Sequence, residues 1–339
     1  MSMAAPFPFD DFRDLVNLLP DPETAAVEAF WARDAQLTKI PGSLGKLEEI
    51  GAWLAAATGK RPPKVEKPLV AVFAANHGLA AKGVSAFPAE VTKQMVANYA
   101  AGGAAINQIC MVSDIGLKVF ELALDHPTPD VSVADAFDGP GCAATMAFGM
   151  EALANGTDLL CLGEMGIGNT AIASAIFLAL FGGTAEEWVG PGTGVEGAAL
   201  ANKVEVVREV VARIAGEKDP FEILRRIGGR EIAAMVGAII AARHQKVPVV
   251  VDGFVTTAAA AIVFALNPKA IDHCLFAHVS AEPAHRKALA TMGKTALLDL
   301  GMRLGEGTGA AIAASIVRAA AATHAGMATF AEAGVSNKD

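Results

Sequence analysis

Cysteine is scarce and scattered along this chain. Cys110, Cys142, Cys161 and Cys274 stand far apart with no C-x-x-C pair, which argues against a structural zinc site and against a disulfide framework. Reduced thiols in a cytoplasmic protein are the expectation. Basic residues are outnumbered as well as dispersed: 27 Lys and Arg face 36 Asp and Glu, for a net charge of −9. No basic face of the kind that reads nucleic acid is present, so an anionic substrate must be held by a local device such as backbone amides. Aromatic residues make up only 6% of a chain that is 53% hydrophobic and 19% charged. That composition is far from the disordered regime and points to a close-packed core of small side chains. Long apolar runs are missing too. The charge-free stretch from Met165 to Ala185 contains Gly166, Gly168, Asn169, Thr170, Ser174 and a Gly-Gly pair, leaving a solid apolar segment about half of the ~20 residues a bilayer requires. It is read as a buried helix, and no membrane partner is expected. The first residues, MSMAAPFPFDDFRDL, lack a basic region followed by an apolar one, so a signal peptide is not expected.

The 339 residues exceed the roughly 250–300 over which one core usually grows, which suggests a large domain and a smaller helical piece. Asp21, Pro22 and Glu23 form a helix start, with an acceptor at the cap and proline in the first turn. Val27, Phe30, Trp31 and Leu37 fit the stripe that follows. Pro41 and Gly42 break it, and Ser43 is placed to cap a second helix carrying Leu44, Leu47, Ile50 and Leu54. From Pro68 the pattern changes to short apolar runs at 68–74, 116–124, 158–162, 247–251 and 274–279, separated by helix-like sequence such as 232–243 and 256–266. Strands alternating with helices predict an α/β domain with a mostly parallel sheet flanked by helices, Rossmann-like in layout. Ligands should then lie beyond the carboxyl ends of the strands. After Gly309 an Ala-rich helix is expected over 310–324. The predicted division is a large α/β catalytic domain over 45–309 and a small helical domain built from 1–44 and 310–339.

The segment DLLCLGEMGIGNTAIASAIF from Asp158 is the most informative local feature. A strand runs into Gly163, Glu164, Met165, Gly166, Ile167 and Gly168, and Asn169 then opens an apolar helix. Glycines let backbone N–H groups converge, and a helix amino end adds positive partial charge, which together can hold a phosphate without a basic patch. A tight strand-to-helix turn that merely needs glycine is the alternative. Glu164 favours the functional reading, because a carboxylate beside a phosphate cradle is unfavourable without a task such as bonding ribose hydroxyls. A second glycine-rich stretch, Gly190–Gly197, contains a formal G-x-G-x-x-G from Gly192. No strand is expected before it, so the dinucleotide fingerprint lacks its context; a loop closing over the same anion, with Lys203 nearby, fits better.

Near the carboxyl end, Glu306 stands between Gly305 and Gly307, just before an apolar helix. Taken alone it could be an exposed acid at a helix start. It belongs, however, to a set of stretches that resembles the nicotinate-nucleotide–dimethylbenzimidazole phosphoribosyltransferases of cobalamin lower-ligand synthesis. These are Lys39–Glu48 (KIPGSLGKLE), Ala75–Gly78 (ANHG), Gly163–Thr170 (GEMGIGNT), Asn202 with Lys203, Ile227–Gly229, Asp252–Phe254, His278–Glu282 (HVSAE) and Arg303–Gly307 (RLGEG). They follow the family's order and cover nearly the whole chain.

The resemblance implies an inverting transfer of ribose phosphate from nicotinate mononucleotide to a benzimidazole base, by a homodimer that needs no cofactor. Glu306 matches the family's general base and Glu164 its second important acid. Gly163, Met165, Gly166, Ile167, Gly168, Asn169, Lys203, Ser280 and Gly305 correspond to the nucleotide and phosphate site, and Pro41, Phe87, Met95 and Leu304 to the base pocket. Some members carry a Ser-Pro and a Gln where this chain has Phe87-Pro88 and Met95, and the region 130–142 looks shorter. No paired acidic motif for magnesium–pyrophosphate and no His/Cys cluster is present, so no metal is expected. His77 and His278 are read as structural or substrate-orienting. Competing readings are an NAD-linked oxidoreductase using the glycines at 192–197 and a non-catalytic nucleotide-binding protein of the same fold.

Overall fold

The structure is a computed structural model and describes residues 8–336; the first seven residues, the last three, and the expectations that fall on them lie outside it. Six strands form one parallel sheet: β1 (Pro68–Ala74), β2 (Gly116–Glu121), β3 (Leu159–Met165), β4 (Val249–Val251), β5 (Cys274–His278) and β6 (Ala296–Leu298), in the order β2-β1-β3-β4-β5-β6. The predicted α/β class is the observed one. β3 and β4 are apolar almost throughout and buried, as strands covered on both faces must be.

Five of the six strands stand where short apolar runs predicted them. β3 extends through Gly163 and Glu164 to Met165, because pairing with β1 carries on to Ala74↔Met165. β6 has no counterpart in the sequence reading. It is three residues long, only half-buried, and pairs with β5 through Phe276↔Ala296 and His278↔Leu298, too little to show as a periodic pattern. Two helix starts also shift. The helix after Pro22 begins at Thr24, and neither Asp21 nor Glu23 caps it with a side chain. The next runs Lys46–Thr58 from a Gly45 cap, not Ser43. There Glu48 reaches back from inside the first turn, accepting from Leu44 N–H (3.0 Å) and from Lys39 Nζ (2.9 Å). Lys39 also meets Asp34 at 2.7 Å, so a buried cation between two acids sets this turn.

Helices cover both faces of the sheet. On one, Gly139–Gly149, Asn169–Phe181, Arg230–His244 and Phe254–Leu266 share a single core with the strands. Asn169–Phe181 is the buried helix expected in the charge-free stretch. Among the described residues no helix is long and apolar enough to cross a membrane. Arg230–His244 crosses Gly139–Gly149 at glycine: a Cβ on Gly237 would lie 1.8 Å from the Met146 carbonyl oxygen, and one on Gly149 1.8 Å from that of Ala234. On the other face lie Ala105–Ser113, Lys46–Thr58 and the Ala-rich Thr308–Gly326, whose Ala310, Ala311, Ala313 and Ala314 touch the strands closely. Of the pieces expected in a small domain, Thr24–Asp34 packs on Lys46–Thr58 and on the far end of Thr308–Gly326, where Phe30 stacks on His324 with ring centroids 3.9 Å apart. Asp10–Asn17 lies on the opposite face, with Phe12 against Phe221.

Candidate active site

The chain leaves β1 towards β2 on one side and returns to β3 on the other, so the strand order reverses between β1 and β3. A crevice opens beyond the carboxyl ends of strands at such a switch point, and a cavity of about 640 Å³ lies there. Much of its lining comes from strand ends and the segments that follow them. Glu164 and Met165 end β3 and Gly166, Ile167 and Asn169 follow it, Gly253 to Val255 follow β4, and His278 ends β5 with Ser280 just after. Phe87, Val91 and Met95 also line it, as do Arg303, Leu304, Gly305 and Glu306.

Glu306 is buried and holds a positive φ of 63°, flanked by Gly305 at 82° and Gly307 at 81°. Left-handed backbone at a non-glycine residue is costly and persists only where neighbours enforce it. Here the Glu306 N–H donates to the Glu164 carbonyl (3.2 Å), and its backbone lies directly on Gly163, where an added Cβ would come 2.7 Å from the Glu306 carbonyl oxygen. Asp252, the residue after β4, accepts from Gly307 N–H (3.2 Å) and Ala310 N–H (2.8 Å). That carboxylate anchors both the loop and the amino end of Thr308–Gly326.

Three acids therefore crowd one low-dielectric spot. Burial raises the Glu306 carboxyl, with Tyr99 and the Ile106 backbone pulling it back down, and its Oε2 has no hydrogen-bond partner. Burial pushes Glu164 up to about 8, against a hydrogen bond from Asn169 Nδ2 and with help from the charges of Asp252, Glu231 and Glu306. Asp252 rises to about 7, again by burial, although backbone N–H groups offset part of it. Desolvation disfavours an isolated carboxylate, and like charges add to it. These acids are poised to take protons, or to welcome a cation.

A second group surrounds Gly192. Lys203 is fully buried and donates to Thr170 Oγ1 (2.9 Å) and the Gly190 carbonyl (2.9 Å); burial lowers its pKa to about 8. Arg303 Nη1 donates to the Gly192 carbonyl (2.9 Å), and Glu282 Oε1 accepts from Gly192 N–H (2.8 Å). Ser280 is fixed by His285, whose Nδ1 accepts the Ser280 N–H (2.7 Å) and whose Nε2 meets Thr257 Oγ1 (2.9 Å). Burial drops His285 to about 3, so the ring is neutral.

Of the residues singled out from sequence, Glu306, Glu164, Met165, Gly166, Ile167, Asn169, Ser280, Gly305, Phe87, Met95 and Leu304 line this one cavity. Gly163, Gly168 and Lys203 lie behind its walls. Gly163 sits under Glu306, and Gly168 is the left-handed cap (φ 95°) of the Asn169–Phe181 helix. Pro41 does not line the cavity and lies on an exposed turn before Lys46–Thr58. His77 pairs with Glu231 at 2.8 Å in full burial, while His278 lines the pocket 3.7 Å from Asp252. The glycines at 192–197 follow the Ala185–Trp188 helix, not a strand.

Asp252 and Tyr99 were not singled out as site residues by the sequence reading. Asp252 follows a strand directly, and that position is a usable signal. Tyr99 is the only tyrosine of the chain, and nothing in its surroundings in the sequence marks it.

Residues 19–335 match a family model described as phosphoribosyltransferase. The chain is 66% identical over 334 residues to a Brucella anthropi protein named nicotinate-nucleotide–dimethylbenzimidazole phosphoribosyltransferase, covering 98% of each. It is 66% identical over 337 residues to one of the same name from Rhizobium meliloti, covering 99% of each. Its fold is similar to the crystal structure of CobT from Thermus thermophilus, with a TM-score of 0.87 and 39% identity over 93% of this chain and 100% of that one.

Proposed function

Since the chain belongs to this phosphoribosyltransferase family, we propose that it moves the 5-phosphoribosyl group of nicotinate mononucleotide to 5,6-dimethylbenzimidazole or a related base. The products are α-ribazole 5'-phosphate and nicotinate. One observation carries the mechanism: the desolvated Glu306 carboxyl shares a cavity with the apolar side chains of Phe87, Met95 and Leu304 and with the glycine turn at a helix amino end.

The donor joins nicotinate to the anomeric carbon through a cationic ring nitrogen. As the acceptor's unprotonated nitrogen forms its bond to that carbon, the old C–N bond breaks and its electron pair neutralises the departing ring. No acid is needed to expel it. The acceptor's N–H proton passes to Glu306, whose raised pKa makes it a stronger base than an exposed carboxylate. A positioned base typically contributes ~10²–10⁴-fold to such a step. Attack opposite the departing ring inverts the centre and gives the α-linked product. Glu164, ionised as the cationic donor enters, faces the sugar and offsets positive charge that builds on it. The glycine turn and Ser280 hold the phosphate end, with Lys203 bracing Thr170 and the Gly190 carbonyl from behind. Holding two flat rings on either side of the sugar supplies most of the remaining acceleration. The enzyme acts as a cytoplasmic homodimer on this reading.

Incubation with nicotinate mononucleotide and a panel of benzimidazoles, following nicotinate release by chromatography, tests the proposal. Release with at least one base is expected, together with an α-ribotide product. Silence across the panel would remove it.

A further inference from the structure

A two-residue segment at the rim of the cavity is tethered from both sides. Gly192 is held towards the Glu306 side, through Arg303 Nη1 on its carbonyl (2.9 Å) and Glu282 Oε1 on its N–H (2.8 Å). Gly192 has a positive φ of 54°, and a Cβ there would press on Thr170 Oγ1 (2.5 Å) and Lys203 Nζ (2.7 Å). The next residue bonds a different segment of the lining. Thr193 Oγ1 accepts from Ala86 N–H (3.0 Å) and pairs with Ser85 Oγ (2.8 Å), which itself accepts from Phe87 N–H (3.2 Å). Thr193 and Phe87 line the cavity; Ser85 does not.

Phe87 is 54% exposed, so packing does little to fix its ring, and the backbone of its turn must do so. That backbone is bonded to the pocket's other wall through one hydroxyl group. We propose that Thr193 is a positioning residue that sets the acceptor-ring site, by holding the Ser85–Phe87 turn at a fixed distance from the loop that carries Leu304 and Glu306. The inference rests on reading this cavity as the site where an aromatic acceptor meets Glu306. Thr193 acts through the Phe87 turn and not by touching the acceptor.

The test is steady-state kinetics with nicotinate mononucleotide and dimethylbenzimidazole on Thr193→Val, Thr193→Ser, Ser85→Ala and the Thr193→Val/Ser85→Ala double variant. Valine keeps the shape of threonine but strands the Ala86 N–H and the Ser85 hydroxyl. The acceptor KM should rise roughly five- to tenfold, the cost of about one hydrogen bond, while the donor KM stays within about twofold. Thr193→Ser, which keeps the hydroxyl, should restore the wild-type acceptor KM. Ser85→Ala should raise the acceptor KM in the same direction, and the double variant should be no worse than Thr193→Val, since residues in one network are not additive. An unchanged acceptor KM in Thr193→Val overturns the inference, as does an effect on the donor alone. A normal Ser85→Ala beside an impaired Thr193→Val also overturns it, because Thr193 would then touch substrate directly. Should Thr193→Val not fold, Ser85→Ala, on a half-exposed turn, still decides the matter. A wild-type enzyme that releases no nicotinate rejects the acceptor-site reading itself, and the inference falls with it; an active wild type with normal variants rejects the inference alone.

Discussion

At the scale of single residues, Glu306 combines two features that oppose stability: a left-handed backbone and a buried carboxyl oxygen without a partner. Left-handed geometry costs a non-glycine residue roughly 1–2 kcal/mol, and glycine escapes that cost. Glu306→Gly should therefore melt no lower than wild type, or a few degrees higher, while turnover falls by ~10²–10⁴-fold. Calorimetry beside a nicotinate-release assay checks both, and a strongly lowered melting temperature would show that the acid is structural. The neighbouring acids make a separate claim about pH. Burial pushes Glu164 up to about 8 and Asp252 to about 7, above the ordinary carboxylate range, so the folded state binds protons more tightly than the unfolded one. Their stabilising contribution is complete below about pH 4 and is lost as pH rises through 7 to 8. Each proton contributes a slope of at most ~1.4 kcal/mol per pH unit. Melting curves between pH 5 and pH 8 should thus fall less steeply for Glu164→Gln than for wild type. Equal slopes would count against burial as the source of the shift.

At the scale of elements, close approach is purchased with glycine, and the crossing of Gly139–Gly149 with Arg230–His244 is the tightest instance. Gly237→Ala drives a methyl into the Met146 carbonyl, 1.8 Å away and part of a helix backbone that cannot step aside alone. Overpacking of this kind costs typically ~1–3 kcal/mol, occasionally more. Urea unfolding should show that loss with little change in either KM, since the crossing lies outside the cavity lining. What could be read from sequence divides along the same physical line. Continuous apolar runs such as Leu69–Phe73 and Leu159–Leu162 reveal strands because both faces are buried, and the alanine pattern after Gly309 reveals a helix. β6 stayed hidden, being three half-buried residues at a sheet edge. The Ser43 cap failed because Glu48, buried with Lys39, satisfies the turn from within, a tertiary choice that no local pattern records. Glu164 stood out because a carboxylate inside a glycine turn is unfavourable without a task, whereas Glu306 was singled out by the resemblance of its stretch; both line the cavity. Tyr99 did not stand out, since it reaches the site only through packing of a helix that looks ordinary in sequence.

At the scale of the whole molecule, the site is assembled from the ends of three strands, the segments around Phe87 and Gly192, and one late loop, and its charge runs against its surroundings. The chain carries −9, and the donor, with phosphate, carboxylate and one cationic ring, is itself net negative at neutral pH. On the proposed reaction long-range forces therefore oppose encounter, and capture rests on short-range groups such as the glycine turn and Arg303. Salt screens the long-range part, with a Debye length of ~30 Å at 0.01 M and ~8 Å at 0.15 M, while bonds made inside a dry pocket are screened far less. On the proposed reaction, kcat/KM for nicotinate mononucleotide should rise, by roughly twofold, as ionic strength increases over that range. For the neutral benzimidazole acceptor it should stay flat. Stopped or steady-state rates at fixed pH with added sodium chloride give the comparison directly. A steep fall for the donor would mean that it is steered in by an exposed positive surface, and the local-cradle account of anion binding would have to be abandoned.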